Sequence, residues 1–274
     1  MHARSALFDL YGDHLLSRGG RAPVASLVRL LEPLGIAAPA VRTAVSRMVR
    51  QGWLVPIMLP AGPGYAASDR ARHRLAASGE RIYRTREVAW DGAWDVVVLH
   101  EVPGRAARER VRSGLGFLGY APLAESTWVG PHPSAELADV LGGEKVRWTR
   151  FRGPLDGDLT TVLDRWDLDG LAAEYRAWSR STRDRMAAAD RPLADHEAFA
   201  LRSTLLNEWR KFLFTDPGLP AALLPTDWPG HAAYRLFDEH ADRLLPAASR
   251  FVDTCLGDQP TPTPVPDAPL QEDA

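Results

Sequence analysis

One predicted helix, residues 39–51, carries the side chains best suited to chemistry in this sequence. Apolar side chains recur on it at helical spacing and predict a buried face: Val41, Val45, Met48 and Val49. The positions between them predict an exposed face of guanidinium and hydroxyl groups: Arg42, Thr43, Ser46, Arg47 and Arg50. Such a face suits the major groove of double-stranded DNA, because arginine forks onto guanine edges or phosphates and hydroxyl groups bond to either.

An ordinary amphipathic surface helix with solvated charges is the alternative interpretation. Solvated helix faces usually mix both signs of charge, since pairs of an acid and a base four residues apart stabilise a helix. No Asp or Glu lies between Ala37 and Ala67. A face without acids does not repel phosphates, so the pattern favours contact with DNA.

The elements around this helix predict a winged helix-turn-helix. A preceding helix over residues 23–34 and a short turn over 35–37 complete the helix-turn-helix pattern. A hairpin over 53–67, with a Gly- and Pro-rich tip, is the candidate wing, and a purely structural hairpin is the alternative. A helix from an N-cap at Ser68 closes the predicted DNA-binding domain, residues 1–86.

Charge is distributed unevenly along the 274 residues. Residues 1–86 hold thirteen Lys and Arg against five Asp and Glu, a net charge of +8, while the rest of the chain carries −10. A basic head on an acidic body is typical of a nucleic-acid-binding domain joined to a part that does not bind nucleic acid. Chance variation of surface charge is the alternative.

The chain after residue 86 predicts two further domains and a tail. In residues 87–155, strands and helices are expected in the ferredoxin-like order β-α-β-β-α-β, over 94–100, 103–115, 117–123, 126–130, 134–141 and 145–152. Residues 156–256 are predicted to form a helical C-terminal domain, with its strongest helices over 168–188, 195–214 and 230–255. The Pro-rich tail, 257–274, is expected to be disordered. The predicted fold class is therefore α+β.

Eight of the nine tryptophans follow residue 86. With arginines nearby, such side chains could line a pocket for a small-molecule effector with a cationic rim. The candidate effector-binding residues are Trp128, Trp148 and Arg150. Packing in the core or in an interface is the alternative for most of these aromatic side chains.

Signals for catalysis and metal binding are weak. Glu101, at the end of the first body strand, could serve a metal-dependent nuclease, but the sequence offers it no convincing second carboxylate. Cys255 is the single cysteine, which excludes an intramolecular disulfide and a Cys-based zinc cage. We therefore predict a protein that is not an enzyme and has no catalytic residues, metal or cofactor. A nuclease that uses Glu101 and a DNA-binding module without sequence preference stay as alternatives.

The sequence also predicts a cytoplasmic location without a membrane partner. No apolar run approaches the ~18–20 residues that a membrane-spanning helix needs. Asp9 and Asp13 interrupt the apolar stretch that a signal peptide would require.

Several separated blocks of this sequence resemble the PaaX family of bacterial repressors, which is best known from phenylacetate catabolism. Within the predicted recognition helix the block is VRTAVSRMV at 41–49. In the predicted central domain the blocks are WDGAW at 90–94, GYAPL at 119–123 and STWVGP at 126–131. Further blocks lie at 4–5, 10–13, 34–35, 52–54, 209–212, 216–220, 223–225 and 227–230.

The resemblance implies a winged helix, a central ferredoxin-like domain similar to a CRISPR-associated nuclease, and a helical C-terminal domain. It also implies a homodimer that binds double-stranded operator DNA and leaves it when an aromatic acyl-CoA thioester, typically phenylacetyl-CoA, binds. Carried onto this sequence, the recognition helix is 39–51. The body strand ends in His100-Glu101, where the related nucleases would have a carboxylate-initiated turn, so catalysis is not carried over.

Overall fold

A computed structural model describes residues 1–83 and 90–257 of the chain, which fall into two compact units. The head unit comprises Met1–Ala76, Ala194–Ser203 and the described part of Leu244–Ala274. The body unit comprises the described part of Ala77–Leu193 together with Thr204–Arg243. The predicted domain boundaries stay predictions, and the predicted disordered tail lies outside the described residues from 258 onward.

The head unit begins with helices joined by tight turns. The helices of its N-terminal part are α1 (Ala3–Leu10), α2 (Val24–Leu31), α3 (Ala38–Arg50) and the start of α4 (Asp69–Ile82). A π-helical turn, Tyr11–Leu15, follows α1, and short 3-10 turns cover Leu16–Arg18 and Glu32–Leu34. The predicted N-cap is confirmed, because Ser68 Oγ accepts a hydrogen bond of 3.2 Å from the backbone N–H of Ala71.

Three short strands form an antiparallel sheet in the head unit. The strands β1 (Arg21–Pro23), β2 (Leu54–Leu59) and β3 (Gly62–Ala67) lie in the order β1-β3-β2. The predicted hairpin is confirmed as β2 and β3, and β1 is an addition that the sequence pattern did not indicate. Gly64 lies in the central strand, where a Cβ would stand 2.8 Å from the carbonyl oxygen of Ala22.

The core of the head unit draws on both ends of the chain. Leu7, Leu27, Leu30 and Val41 from the first three helices are fully buried. They share one cluster with Phe199 of α9 (Asp195–Trp209) and with Ala248, Val252 and Cys255 of α11 (Pro229–Gly257). The hydroxyl of Ser26 donates to the carbonyl oxygen of Cys255 at 2.8 Å.

The body unit contains a four-stranded antiparallel sheet. Its strands are β4 (Ala93–Glu101), β5 (Ala121–Pro122), β6 (Thr127–Gly130) and β7 (Arg147–Pro154), in the order β5-β6-β4-β7. The connecting helices are α5 (Gly104–Phe117), between β4 and β5, and α6 (Leu137–Gly143), between β6 and β7. The observed element order is therefore β-α-β-β-α-β.

The two faces of this sheet belong to different apolar clusters. Val111 and Leu115 of α5 and Leu141 of α6 are buried with Val97 and Trp128 on one face. On the other face, a second cluster contains Trp94, Val129, Val162, Leu219 and Leu223. The second cluster includes Val162 of α7 (Leu159–Leu163) and Leu223 of the 3-10 turn Ala221–Leu223.

Helix α8 (Leu168–Ala188) matches its predicted span, whereas the predicted helix over 195–214 is interrupted after Trp209. Helix α9 ends at Trp209, and a separate short helix, α10, covers Phe212–Thr215. After the turn between them, the ring centroid of Phe212 lies 4.1 Å from that of Tyr175. The ring centroid of Trp209, before the turn, lies 5.0 Å from that of Trp178. Trp209 and Phe212 thus pack into one aromatic cluster with Tyr175 and Trp178.

Candidate nucleic-acid interface

Helix α3 is held in place by its apolar face. Val41, Ala44, Val45 and Met48 are buried, and α3 packs against α1 and α2. Pro39 lies in the first turn, where its missing N–H costs no hydrogen bond. Gly52, at φ +71°, ends the helix in the left-handed region. The helix therefore presents its polar face in a fixed orientation.

All five of the predicted DNA-contacting side chains lie together on the exposed face of α3. They are Arg42, Thr43, Ser46, Arg47 and Arg50. Within residues 1–83 and 90–257, none of the three arginines forms an ion pair with a carboxylate. The Thr43 hydroxyl donates to the carbonyl oxygen of Pro39 at 2.9 Å, so its oxygen is left as an acceptor. The face can thus offer several cationic donors to a phosphate or a base edge.

The predicted wing, the hairpin of β2 and β3, has an apolar surface. Met58 is 78% exposed and Val55 is 45% exposed. No Lys or Arg occurs in the hairpin, so a phosphate there would meet backbone N–H groups or the hydroxyl of Tyr65. Its role as a wing stays a prediction.

Two exposed arginines of the head unit stack on aromatic rings. The guanidinium of Arg70 lies 4.7 Å from the ring centroid of Trp53, and that of Arg4 lies 5.5 Å from the ring centroid of Phe8. The two rings meet edge to face at 5.1 Å. The sequence pattern did not indicate this stack of two arginines and two aromatic rings, because its members come from three segments that are distant in sequence. It adds two cations to the basic surface of the head unit.

A buried ion pair in the head unit joins the turn after α1 to α9. Arg202 donates to both carboxylate oxygens of Asp13 at 2.7 Å, and both side chains are almost fully buried. The adjacent His14 is also buried, with its Nε2 atom 3.2 Å from Asp13 Oδ2. Burial lowers the pKa of His14 from 6.5 to about 4, against the opposing effect of Asp13. At neutral pH the ring is therefore uncharged.

The three candidate effector-binding residues share one sheet face but have different surroundings. Trp128 is buried in the core of the body unit, and Trp148 packs at the edge of the same cluster. Arg150 donates through Nε to the buried carboxylate of Asp95 at 2.6 Å. The hydroxyl of Tyr120 donates to the same carboxylate, and burial followed by this hydrogen bond raises the pKa of Tyr120. Arg150 is therefore already engaged, and its predicted effector contact stays a prediction.

Glu101, the carboxylate considered for metal chemistry, lies at the end of β4 beside His100. Glu101 is exposed at the end of β4, where its register partner is Arg147. The ring of His100 is 2.7 Å from the hydroxyl of Thr149. In the part of the chain that the structure describes, no three His, Cys, Asp or Glu side chains are close enough to share a metal ion. Within the same residues, no helix combines the length and apolar character needed to cross a membrane.

An exposed basic helix without acids, set on a small unit of helices and a hairpin, is typical of DNA-binding proteins. Family models match the chain in three consecutive parts. They are described as PaaX-like protein (residues 2–71), PaaX protein central Cas2-like domain (87–147) and PaaX-like protein C-terminal domain (166–254). The chain belongs to the PaaX-like protein family.

Two known proteins are similar to this one over nearly the whole chain. The transcriptional repressor PaaX of Escherichia coli (strain K12) is 32% identical over 277 aligned residues, which cover 94% of this chain and 86% of the relative. Among solved structures, the uncharacterized protein Rv0674 from Mycobacterium tuberculosis is 25% identical, with a TM-score of 0.56. That match covers 93% of this chain and 98% of the solved one.

Proposed function

We propose that this chain is a DNA-binding transcriptional repressor that reads its operator with α3. The observation that carries this proposal is the exposed, acid-free face of α3, with Arg42, Arg47 and Arg50 unpaired among the described residues. The Escherichia coli relative is a transcriptional repressor, which supports the same function. In this proposal the head unit is a winged helix-turn-helix and the sheet of the body unit is ferredoxin-like.

The proposed repressor acts as a homodimer that an aromatic acyl-CoA thioester releases from the operator. Two copies of α3 on a two-fold axis would read a partly palindromic site, with half-sites one or more helical turns apart. The dimer is proposed to have one state that fits the half-site spacing of the operator and one that does not. The thioester must bind the second state more tightly, because a ligand with equal affinity for both states does not shift the equilibrium between them. The function proposed is regulation, with no chemical step.

The direct test is a gel-shift titration on the DNA upstream of the chain's own gene. The titration is run at about physiological salt with random-sequence competitor, with and without phenylacetyl-CoA. We expect specific binding that the thioester weakens. Equal competition by random DNA would contradict sequence-specific repression at this region, and specific binding that ignores the thioester would contradict the effector while leaving the regulator.

A second assay addresses the alternative of a metal-dependent nuclease. Purified protein is incubated with DNA in magnesium and, separately, in manganese, alongside the Glu101→Ala variant. We expect intact DNA in every sample, because Glu101 stands without neighbouring carboxylates of a metal site among the described residues. Metal-dependent cleavage that disappears in the variant would establish the nuclease instead.

A further inference from the structure

A cavity of about 200 Å³ opens at the edge of the sheet in the body unit, next to β5. Its walls come from α5, β5, β6, α10 and the segment after α7. Trp128, Trp166 and Phe214 supply aromatic surface, and Arg112 and Arg165 supply positive charge. None of the residues that line it is acidic. This composition suits a ligand that is both aromatic and rich in acceptor oxygens.

The two arginines of the cavity are available to a ligand. Arg112, on α5, makes no hydrogen bond or ion pair within residues 1–83 and 90–257. Arg165 uses only its Nε atom, which donates to the carbonyl oxygen of Thr161 at 3.2 Å. Its terminal nitrogens therefore remain free in the described part of the chain. By contrast, Arg150 is bound to Asp95 and does not line this cavity.

One wall of the cavity is built by a close backbone approach. Gly119 has φ +88°, and a Cβ at this position would stand 2.5 Å from the carbonyl oxygen of Pro217. Asp216 fixes the same loop, because its carboxylate accepts from the N–H of Gly218 at 2.8 Å and from the hydroxyl of Tyr175. The loop that carries Pro217 is thus held against the start of β5, and the cavity is formed without a ligand.

Three of the sequence blocks that carry the family resemblance meet at this cavity. They are the blocks at 119–123, 126–131 and 216–220, and each contributes at least one lining residue. The block at 216–220 is distant in sequence from the other two, and the fold brings all three to this cavity.

We infer that the cavity binds an aromatic acyl group, with the ring against the tryptophans and the acyl oxygen facing Arg112 and Arg165. Ligand pockets for drug-sized molecules span roughly 300–1,000 Å³. A cavity of about 200 Å³ therefore holds one ring and a short acyl chain, while a larger carrier stays outside. The acyl group can come from a free aromatic carboxylate or from its coenzyme A thioester. The inference rests on the proposed function for the choice of ligand, and on the cavity for its place.

Isothermal titration calorimetry of the full chain, with phenylacetate, phenylacetyl-CoA and coenzyme A in separate experiments, tests the inference. We expect saturable binding of phenylacetate, of phenylacetyl-CoA or of both, and clearly weaker binding of coenzyme A. Arg112→Ala and Arg165→Ala should each weaken that binding about tenfold or more, the usual effect of losing a charge-assisted hydrogen bond. Gly116→Leu should also weaken it, because Gly116 lines the cavity and has open space where a side chain would fill it.

Arg108→Ala is the matched control, since Arg108 lies on the same helix but does not line the cavity. Unchanged affinity in all three cavity variants, no binding of either aromatic ligand, or equal binding of coenzyme A would overturn the inference. Operator binding without ligand is measured in parallel on the same samples. If it is absent while the cavity variants lose ligand binding, the proposed repressor function fails and the inference stands.

Discussion

At the scale of single residues, the head unit separates side chains that face solvent from charged groups that are buried. Arg42 and Arg47 stand exposed on α3, whereas Asp13 and Arg202 are enclosed and satisfy each other. The first pair is free to act on a partner, and the second holds α9 against the turn after α1. Substitutions in the two groups should therefore change different properties: binding in the first and folding in the second.

The exposed arginines should govern DNA affinity without affecting the fold. Arg42→Ala and Arg47→Ala are each expected to weaken operator binding roughly 5- to 150-fold, since a bidentate contact to a base is worth ~1–3 kcal/mol. Alanine is a good helix former, so thermal unfolding should stay close to that of the parent chain. Gel shifts measure the affinity, with Arg180→Ala on α8 as the control. Full affinity in both variants would remove α3 as the recognition helix.

The buried histidine should make the stability of the head unit depend on pH. Burial lowers the pKa of His14 from 6.5 to about 4, so between these pH values the unfolded chain binds a proton that the folded chain does not. The contribution of His14 to the free energy of unfolding is therefore complete above pH 6.5 and falls as the pH drops toward 4. The full change amounts to roughly 3 kcal/mol.

Urea unfolding of the parent chain and of His14→Gln at pH 7, 5.5 and 4.5 measures this contribution. The variant should lose less stability than the parent over this range, and the difference between them isolates His14 from the carboxylates that also titrate. Parallel curves for the two proteins would show that His14 keeps its ordinary pKa.

At the scale of elements, local sequence patterns predicted the helices well, but they did not predict the contacts between segments that are distant in sequence. The spacing of Val41, Val45 and Met48 predicted the helix within one residue of α3, because the 3.6-residue period needs only neighbouring positions. The strand β1 was not predicted, since three residues carry too little pattern. Neither was the pair of Asp13 with Arg202, which are 189 positions apart and meet only in the folded chain.

For the candidate sites too, the sequence predicted what lies within one element and not what several distant segments form together. The exposed face of α3 could be read from its own sequence, including each of its polar side chains. The cavity could not, because Arg112 and Arg165 lie on separate elements and nothing in the sequence relates them. Trp128 was named for its residue type, whereas its place in the wall depends on the register of β6 with β4.

The head-unit sheet should depend on the absence of a side chain at Gly64. A Cβ there would lie 2.8 Å from the carbonyl oxygen of Ala22 and 2.6 Å from Leu59 Cδ1, so β1 and β3 would have to separate. Gly64→Ala is expected to destabilise the head unit by roughly 1–3 kcal/mol, the range found for overpacked sites. Gly142→Ala, which meets no atom within 4 Å in α6, is the control for chemical denaturation. Equal midpoints for the two variants would contradict this packing argument.

At the scale of the whole molecule, the uneven charge decides how the chain meets DNA. The first 86 residues carry +8 and the rest −10, so the electrostatic attraction to phosphates resides in the N-terminal part. Binding to DNA releases counterions, and the logarithm of the association constant then falls linearly with the logarithm of the salt concentration. The slope counts phosphate contacts, by about 0.9 for each.

The change in this salt slope on removing one phosphate contact from each chain gives the number of chains bound to one operator. Arg50 lies at the end of α3 that is farther from the bases when a recognition helix enters the groove by its first turns, so its proposed partner is a phosphate. Arg50→Ala should reduce the salt slope by about 0.9 for each bound copy, and by about 1.8 for the proposed homodimer. The preference for operator over random DNA should be retained. Filter-binding titrations at several salt concentrations measure both quantities, and an unchanged slope would show that Arg50 does not face a phosphate.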